Sequence, residues 1–121
     1  MQRIIFSCDE VAAMLNKVGC NKEEKAKIEL IEAKMELLIQ QGRAVSISLF
    51  LATQRPDHIV LSGQIRSNIT CKICGRADRN LSQLILDSSE AAERVPKNAQ
   101  GRFIMNDGTE FQAFYFDEEL E

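Results

Sequence analysis

The chain's 121 residues predict an α/β fold, a mainly parallel sheet with a C-terminal antiparallel hairpin, and three observations carry that prediction. Short apolar runs alternate with stretches of helical periodicity. Two of those runs, ending near Cys8 and Ala52, finish in polar side chains, as buried parallel strands do where their carboxyl ends open onto a crevice. Near the end, Asp107-Gly108 lies between two further apolar runs, the chemistry of a tight hairpin turn.

Taken in order, the run Arg3 to Cys8 is short, mostly apolar and followed by two acids, which predicts a buried parallel strand. Residues 11–15 fit a short helix, broken at Gly19, Cys20 and Asn21. Asn21 stands three residues before Glu24, the spacing of a capping box, and predicts a helix over 22–41. That helix carries an apolar stripe of Ile28, Ile31, Met35 and Leu38, a charged face of Lys25, Glu29, Glu32 and Glu36, and a stop at Gly42. The charged face reads as a solvated side or as a partner surface. A second strand is expected over 46–52, ending where Pro56 forbids further regular pairing. An irregular or partly helical connection to Asn68, a strand over 69–76, a helix over 78–86, and a short helix near 90–94 follow. The hairpin pairs 102–105 with 110–116. We expect one domain over 1–116 and a frayed acidic tail over 117–121.

Apolar residues make up 45% and charged residues 27%, an ordinary globular mixture with neither a bilayer-spanning run nor a signal peptide, so a cytoplasmic location is expected. The formal charge is -3, but the last five residues hold four acids, leaving fifteen basic against fourteen acidic side chains in 1–116. Bulk charge therefore announces no nucleic-acid binder. Four cysteines at positions 8, 20, 71 and 74, without an export signal, are expected to be reduced. Cys71 and Cys74 have the spacing of zinc and redox motifs, but a structural zinc needs four ligands and the one histidine, His58, lies in another segment, where it reads as a surface residue.

The two strand ends place Asp9 with Glu10 and Gln54 with Arg55 at one crevice. An apolar strand finishing in Asp-Glu suits nucleotide hydrolysis, Asp9 orienting the water shell of a magnesium ion and Glu10 polarising an attacking water. The same acids could instead complement a helix dipole. At Gln54 a neutral amide can bond both a phosphate oxygen and a water; otherwise it caps a turn before Pro56.

At these residues the chain resembles the FtsK/SpoIIIE DNA translocases and their relatives in conjugative elements, hexameric motors built on RecA-like P-loop NTPase cores. Leu51, Ala52, Thr53, Gln54, Arg55 and Pro56, followed by Gly63, Ile65, Asn68 and Ile69, look like the family's ATQRP stretch and the loop after it. Residues 4–10 are similar to its Walker B strand, Ser82, Ile85, Leu86 and Asp87 to the following helix, and 111–119 to the end of the core. The resemblance implies a partial RecA-like core in which Asp9 assists magnesium, Glu10 activates water and Gln54 senses the terminal phosphate. It further implies ATP and Mg2+ as cofactors of the full motor and double-stranded DNA as its partner. Arg66, Arg76 and Arg79 are the candidates for sequence-tolerant contacts to DNA phosphates, or else ordinary surface or interface cations.

The likeness has gaps. The phosphate-binding loop, Gly-x-x-x-x-Gly-Lys-Ser/Thr, is absent from these residues, so we expect a piece of a longer motor that starts at the Walker B strand, with no cofactor and no hydrolysis when alone. Gln83 follows Ser82 where the family often has arginine, and Ser88 and Ser89 replace paired glycines. Within the strand implied by the resemblance, Cys71 and Cys74 would point to opposite faces, against joint metal ligation. The expected partners are the upstream half of the motor and other copies of the chain, a hexamer in the full protein and a dimer here, with a membrane anchor of the parent left to a segment outside these residues. The alternative is a non-catalytic interaction or oligomerisation module that keeps the fold remnant.

Overall fold

The computed structural model describes residues 2–54 and 61–114, in two compact units, Met1–Thr70 and Cys71–Glu121. Arg55, Pro56, Asp57 and His58, the end of the second hairpin strand and the acidic tail lie outside the described residues.

The first unit holds β1 (Ile4–Cys8), α1 (Val11–Met14), α2 (Lys22–Gln41), a 3-10 turn (Gly42–Val45), β2 (Ile47–Leu51) and α3 (Gly63–Asn68). β1 and β2 pair in parallel, Ile4 opposite Ile47 through Cys8 opposite Leu51. The pairing runs on past the strands, with Ala52 N donating to Cys8 O and Val11 N to Ala52 O, both at 2.9 Å. This ladder brings the polar residues after each strand side by side. The expected capping box is present: Glu24 N donates to Asn21 Oδ1 and Asn21 N to Glu24 Oε2. α2 ends at Gly42, for a steric reason rather than a left-handed cap. A Cβ on Gly42 would lie 2.8 Å from Ile47 O, and it is Ser46, at φ 59, that reverses the chain into β2.

The core of this unit is Val11, Leu15 and Met35, with Cys8, Met14, Ile28, Leu51 and Leu61 packed around them. Met35 and Ile28 of the expected stripe face it, whereas Ile31 is exposed. A larger departure concerns β1, expected to be buried. Ile4, Ile5 and Phe6 are 58%, 66% and 47% exposed. A parallel strand is buried only when flanked by other strands and covered on both faces. Here the sheet has two strands among the described residues, and the core lies on the side of Cys8 and Leu51. Alternation sends Ile5, Ser7, Ser48 and Phe50 to the other face, and all four are exposed.

The second unit contains β3 (Ile73–Cys74), α4 (Arg79–Leu86), α5 (Glu90–Arg94), β4 (Arg102–Met105) and β5 (Glu110–Gln112), with an antiparallel sheet ordered β3-β4-β5. The hairpin forms as expected, and its turn uses Gly108 at φ +86. β3 is much shorter than the 69–76 expected and joins the hairpin. Its approach is set by Asn106, which exchanges hydrogen bonds with the backbone of Lys72. Asp78 caps α4 by accepting from Leu81 N at 2.8 Å. Cys74, Leu86, Ala91, Val95 and Ile104 form the core. The fully buried Ser82 ties α4 to α5, its Oγ donating to Ser88 O and accepting from Ala91 N. Cys74 is a core residue, whereas Cys71 precedes the strand and is exposed. Among the described residues, no helix is long and apolar enough to cross a membrane.

Candidate nucleotide site at the ends of the parallel strands

Asp9 and Glu10 follow β1 directly, and Thr53 and Gln54 follow β2, so the in-register ladder sets them at the same edge. Glu10 occupies the position before α1 but makes no side-chain bond to that helix. Its carboxylate crosses to the neighbouring strand end instead. Thr53 Oγ1 donates to Oε1 at 2.5 Å and Gln54 N to Oε2 at 3.0 Å. Two donors on two oxygens fix the plane of the carboxylate. Of the two readings of these acids, a decoration of a helix terminus leaves the crossing bonds unexplained.

Asp9 is exposed beside this pair, and so is Gln54, whose backbone rather than its side chain holds Glu10. With both oxygens of Glu10 engaged, Asp9 is the carboxylate open to a cation's water shell. Magnesium keeps several waters and uses one or two carboxylates, so this donor set fits an ion held through water. Among the described residues, no group of three or more His, Cys, Asp or Glu could hold a metal ion directly.

The arginines are distributed over the two units. Arg66 is on α3, half-buried, with its Nε buried and without a hydrogen-bond partner. Arg76 and Arg79 belong to the second unit. Arg76 Nη1 donates to Lys97 O at 2.7 Å, and Arg79 opens α4, 82% exposed, with Glu93 at 4.0 Å. Sequence reasoning overlooked Thr53 as a site residue. Its signal was present, a hydroxyl immediately before Gln54 at a strand end, but a hydroxyl's partner is a fact of three dimensions.

No protein-family model matches the chain. It is 34% identical over 92 residues to the DNA translocase FtsK of Chlamydia muridarum, covering 64% of this chain and 12% of that protein. To the DNA translocase FtsK of Pseudomonas aeruginosa it is 35% identical over 91 residues, 74% of this chain and 10% of that one. Among solved structures, the pCW3 conjugation coupling protein TcpA, in its monomer form with ATPgS, superposes with a TM-score of 0.86 at 37% identity over 98% of this chain and 34% of its own. This is an FtsK-related chain. Its α/β architecture, parallel pair and antiparallel sheet together, is that of part of a P-loop motor core. The FtsK-related chain spans about a tenth of the length of the curated relatives it matches.

Proposed function

We propose that the chain is the second part of the motor domain of an ATP-dependent DNA translocase, supplying the acid strand and the phosphate sensor. The observation that supports this reading best is the pair of hydrogen bonds from Thr53 and Gln54 to Glu10. They join the two strand ends into one unit, as a hydrolytic base and a phosphate sensor require. ATP supplies the phosphoryl group, and Mg2+, when bound, offsets charge on its oxygens. Asp9 orients the ion's water shell. Glu10 accepts a proton from the attacking water, for which it must exchange a hydrogen bond with Thr53 or Gln54 for one to that water. The side chain of Gln54 bonds the terminal phosphate, and the accompanying shift of its backbone N–H changes the hold on Glu10. Loss of the phosphate is thereby felt at the base.

The cradle for the phosphates is a loop that these residues do not contain, so the chain alone does not hydrolyse ATP. Its partners are the segment bearing that loop, other copies in a ring, and double-stranded DNA contacted through Arg66, Arg76 and Arg79. The chain works in the cytoplasm, with any membrane anchor of the parent protein elsewhere. One observation favours a second reading, a non-catalytic interaction module: on the sheet face away from the core, Ile5 and Phe50 are exposed beside Ser7 and Ser48, uncovered among the described residues.

Calorimetry with Mg-ATP separates the two. The motor reading expects no binding by the chain alone, binding and hydrolysis after the segment with the phosphate loop is added, and at least ~100-fold slower hydrolysis in Glu10→Gln. Tight binding by the chain alone, or failure of the added segment to restore hydrolysis, would leave the module reading in its place.

A further inference from the structure

The second unit contains an open cleft of about 450 Å³ between Gly75-Arg76 at the end of β3 and residues 98–103 at the start of β4. We infer that this cleft is a phosphate-binding site with Arg76 and Arg102 as its two cationic walls. The inference goes beyond the hydrolytic reading and stands on the second unit alone, sharing with that reading only the role of Arg76 as a phosphate-facing cation.

Charge comes first. Two arginines line the cleft, Arg76 from the bend after β3 and Arg102 from β4, and among the described residues no acid lines it. Lys97 adjoins it, its carbonyl already accepting from Arg76. The nearest offset to Arg102 is Glu110, 3.7 Å from Nη1, but that carboxylate is more closely engaged by Arg94 at 2.8 Å. The Nε of Arg102 is buried without an acceptor. A guanidinium has five N–H donors, and this one has few of them spent. The side chain is 42% exposed, so the remaining donors are met by water, which an anion of matching geometry can displace.

Shape comes second. Gly75 keeps one wall low, since a Cβ there would come within 3.1 Å of the Phe103 ring, which is itself stacked on Phe111. Gly101 turns the other wall at φ +75, and a Cβ would meet Gln112 Nε2 at 2.8 Å. Both walls are thus backbone held in place by packed side chains. The volume is within the range of small-ligand sites. A concavity of guanidinium, amide and glycine groups, with no carboxylate among the described residues that line it, favours an anion, and paired guanidinium forks match the oxygens of a phosphate.

The phosphate could come from a nucleic-acid backbone or from a nucleotide, and two titrations of the 15N-labelled chain distinguish them. One uses a short DNA duplex and the other inorganic pyrophosphate, each followed at the amide signals of Gly75 and Gly101. Both signals are expected to move. Movement with duplex alone assigns the site to the DNA backbone; movement with pyrophosphate, competed by ATP, assigns it to a nucleotide. Arg102→Gln is expected to weaken binding about tenfold, with Arg102→Lys in between and Arg43→Gln, on the 3-10 turn of the first unit and outside the cleft, unchanged. Signals that stay still in both titrations, or an Arg102→Gln chain that binds as the original does, would overturn the inference. Neither result depends on hydrolysis, so the motor reading could fail while this one stands.

Discussion

Among the described residues, Thr53 and Gln54 each donate to one oxygen of the Glu10 carboxylate, and the two donors are unequal in what a substitution can remove. The donor from Gln54 is a backbone N–H that survives any side-chain change there, whereas the Thr53 hydroxyl can be deleted. Thr53→Val keeps the shape of the side chain and takes the donor from a charged acceptor. Stability is expected to fall by about 1–2 kcal/mol in urea unfolding, with Thr53→Ser close to the original. An unchanged midpoint in Thr53→Val would show that the bond contributes nothing to holding the base. The cysteines offer a second test at this scale. Burial pushes the Cys74 thiol above its ordinary 9.0, whereas Cys71 is exposed. The thiolate is the reactive form, so a thiol reagent at pH 8 should label Cys71 well before Cys74, as read by mass spectrometry. The sign for stability follows: a raised folded-state pKa means the contribution of the buried thiol is complete below 9.0 and is lost as the pH climbs through the raised value.

The longest element, α2, agrees with its sequence at both ends and less well along its face. Asn21→Ala removes the acceptor for Glu24 N and breaks the box, and is expected to lower stability by about 1 kcal/mol in the same unfolding experiment. The box was legible because capping is local chemistry, three residues apart. So were α1, α4, α5 and the hairpin turn, each within a few residues of the expected bounds. β3 was not. Its run of 69–76 has strand composition throughout, but pairing is a property of the partner. Asn106 and β4 engage only its second half. Half of the candidate site was equally local: acids after one apolar run and an amide after another mark strand ends. That Glu10 reaches across to Thr53 depends on parallel pairing between segments more than forty residues apart.

For the molecule as a whole, the unusual feature is a sheet face in the first unit that is uncovered among the described residues. Ile5 and Phe50 are 66% and 61% exposed, and β1 is apolar to an extent that suits a strand with neighbours. Such a face drives association, so scattered-light mass is expected to rise with concentration. The double substitution Ile5→Lys and Phe50→Lys should return the chain to a monomer, since each charge would have to be buried at the contact. A monodisperse monomer of the original chain over the whole range would contradict this and remove the main support for the interaction-module reading. The division into two units bears on the measurement, because unfolding need not be a single transition and each substitution reports on its own unit.

By itself the sequence determined the α/β class, the order and most bounds of the elements, and the residues at the two strand ends, because propensity, capping and strand-end polarity act over a few residues. Tertiary structure alone decided that β1 is exposed, that β3 joins the hairpin, that Thr53 holds Glu10, and that Arg76 and Arg102 face one cleft. Each of these depends on pairing or packing between residues distant in the chain, where composition states what a segment can do and only its neighbours determine what it does.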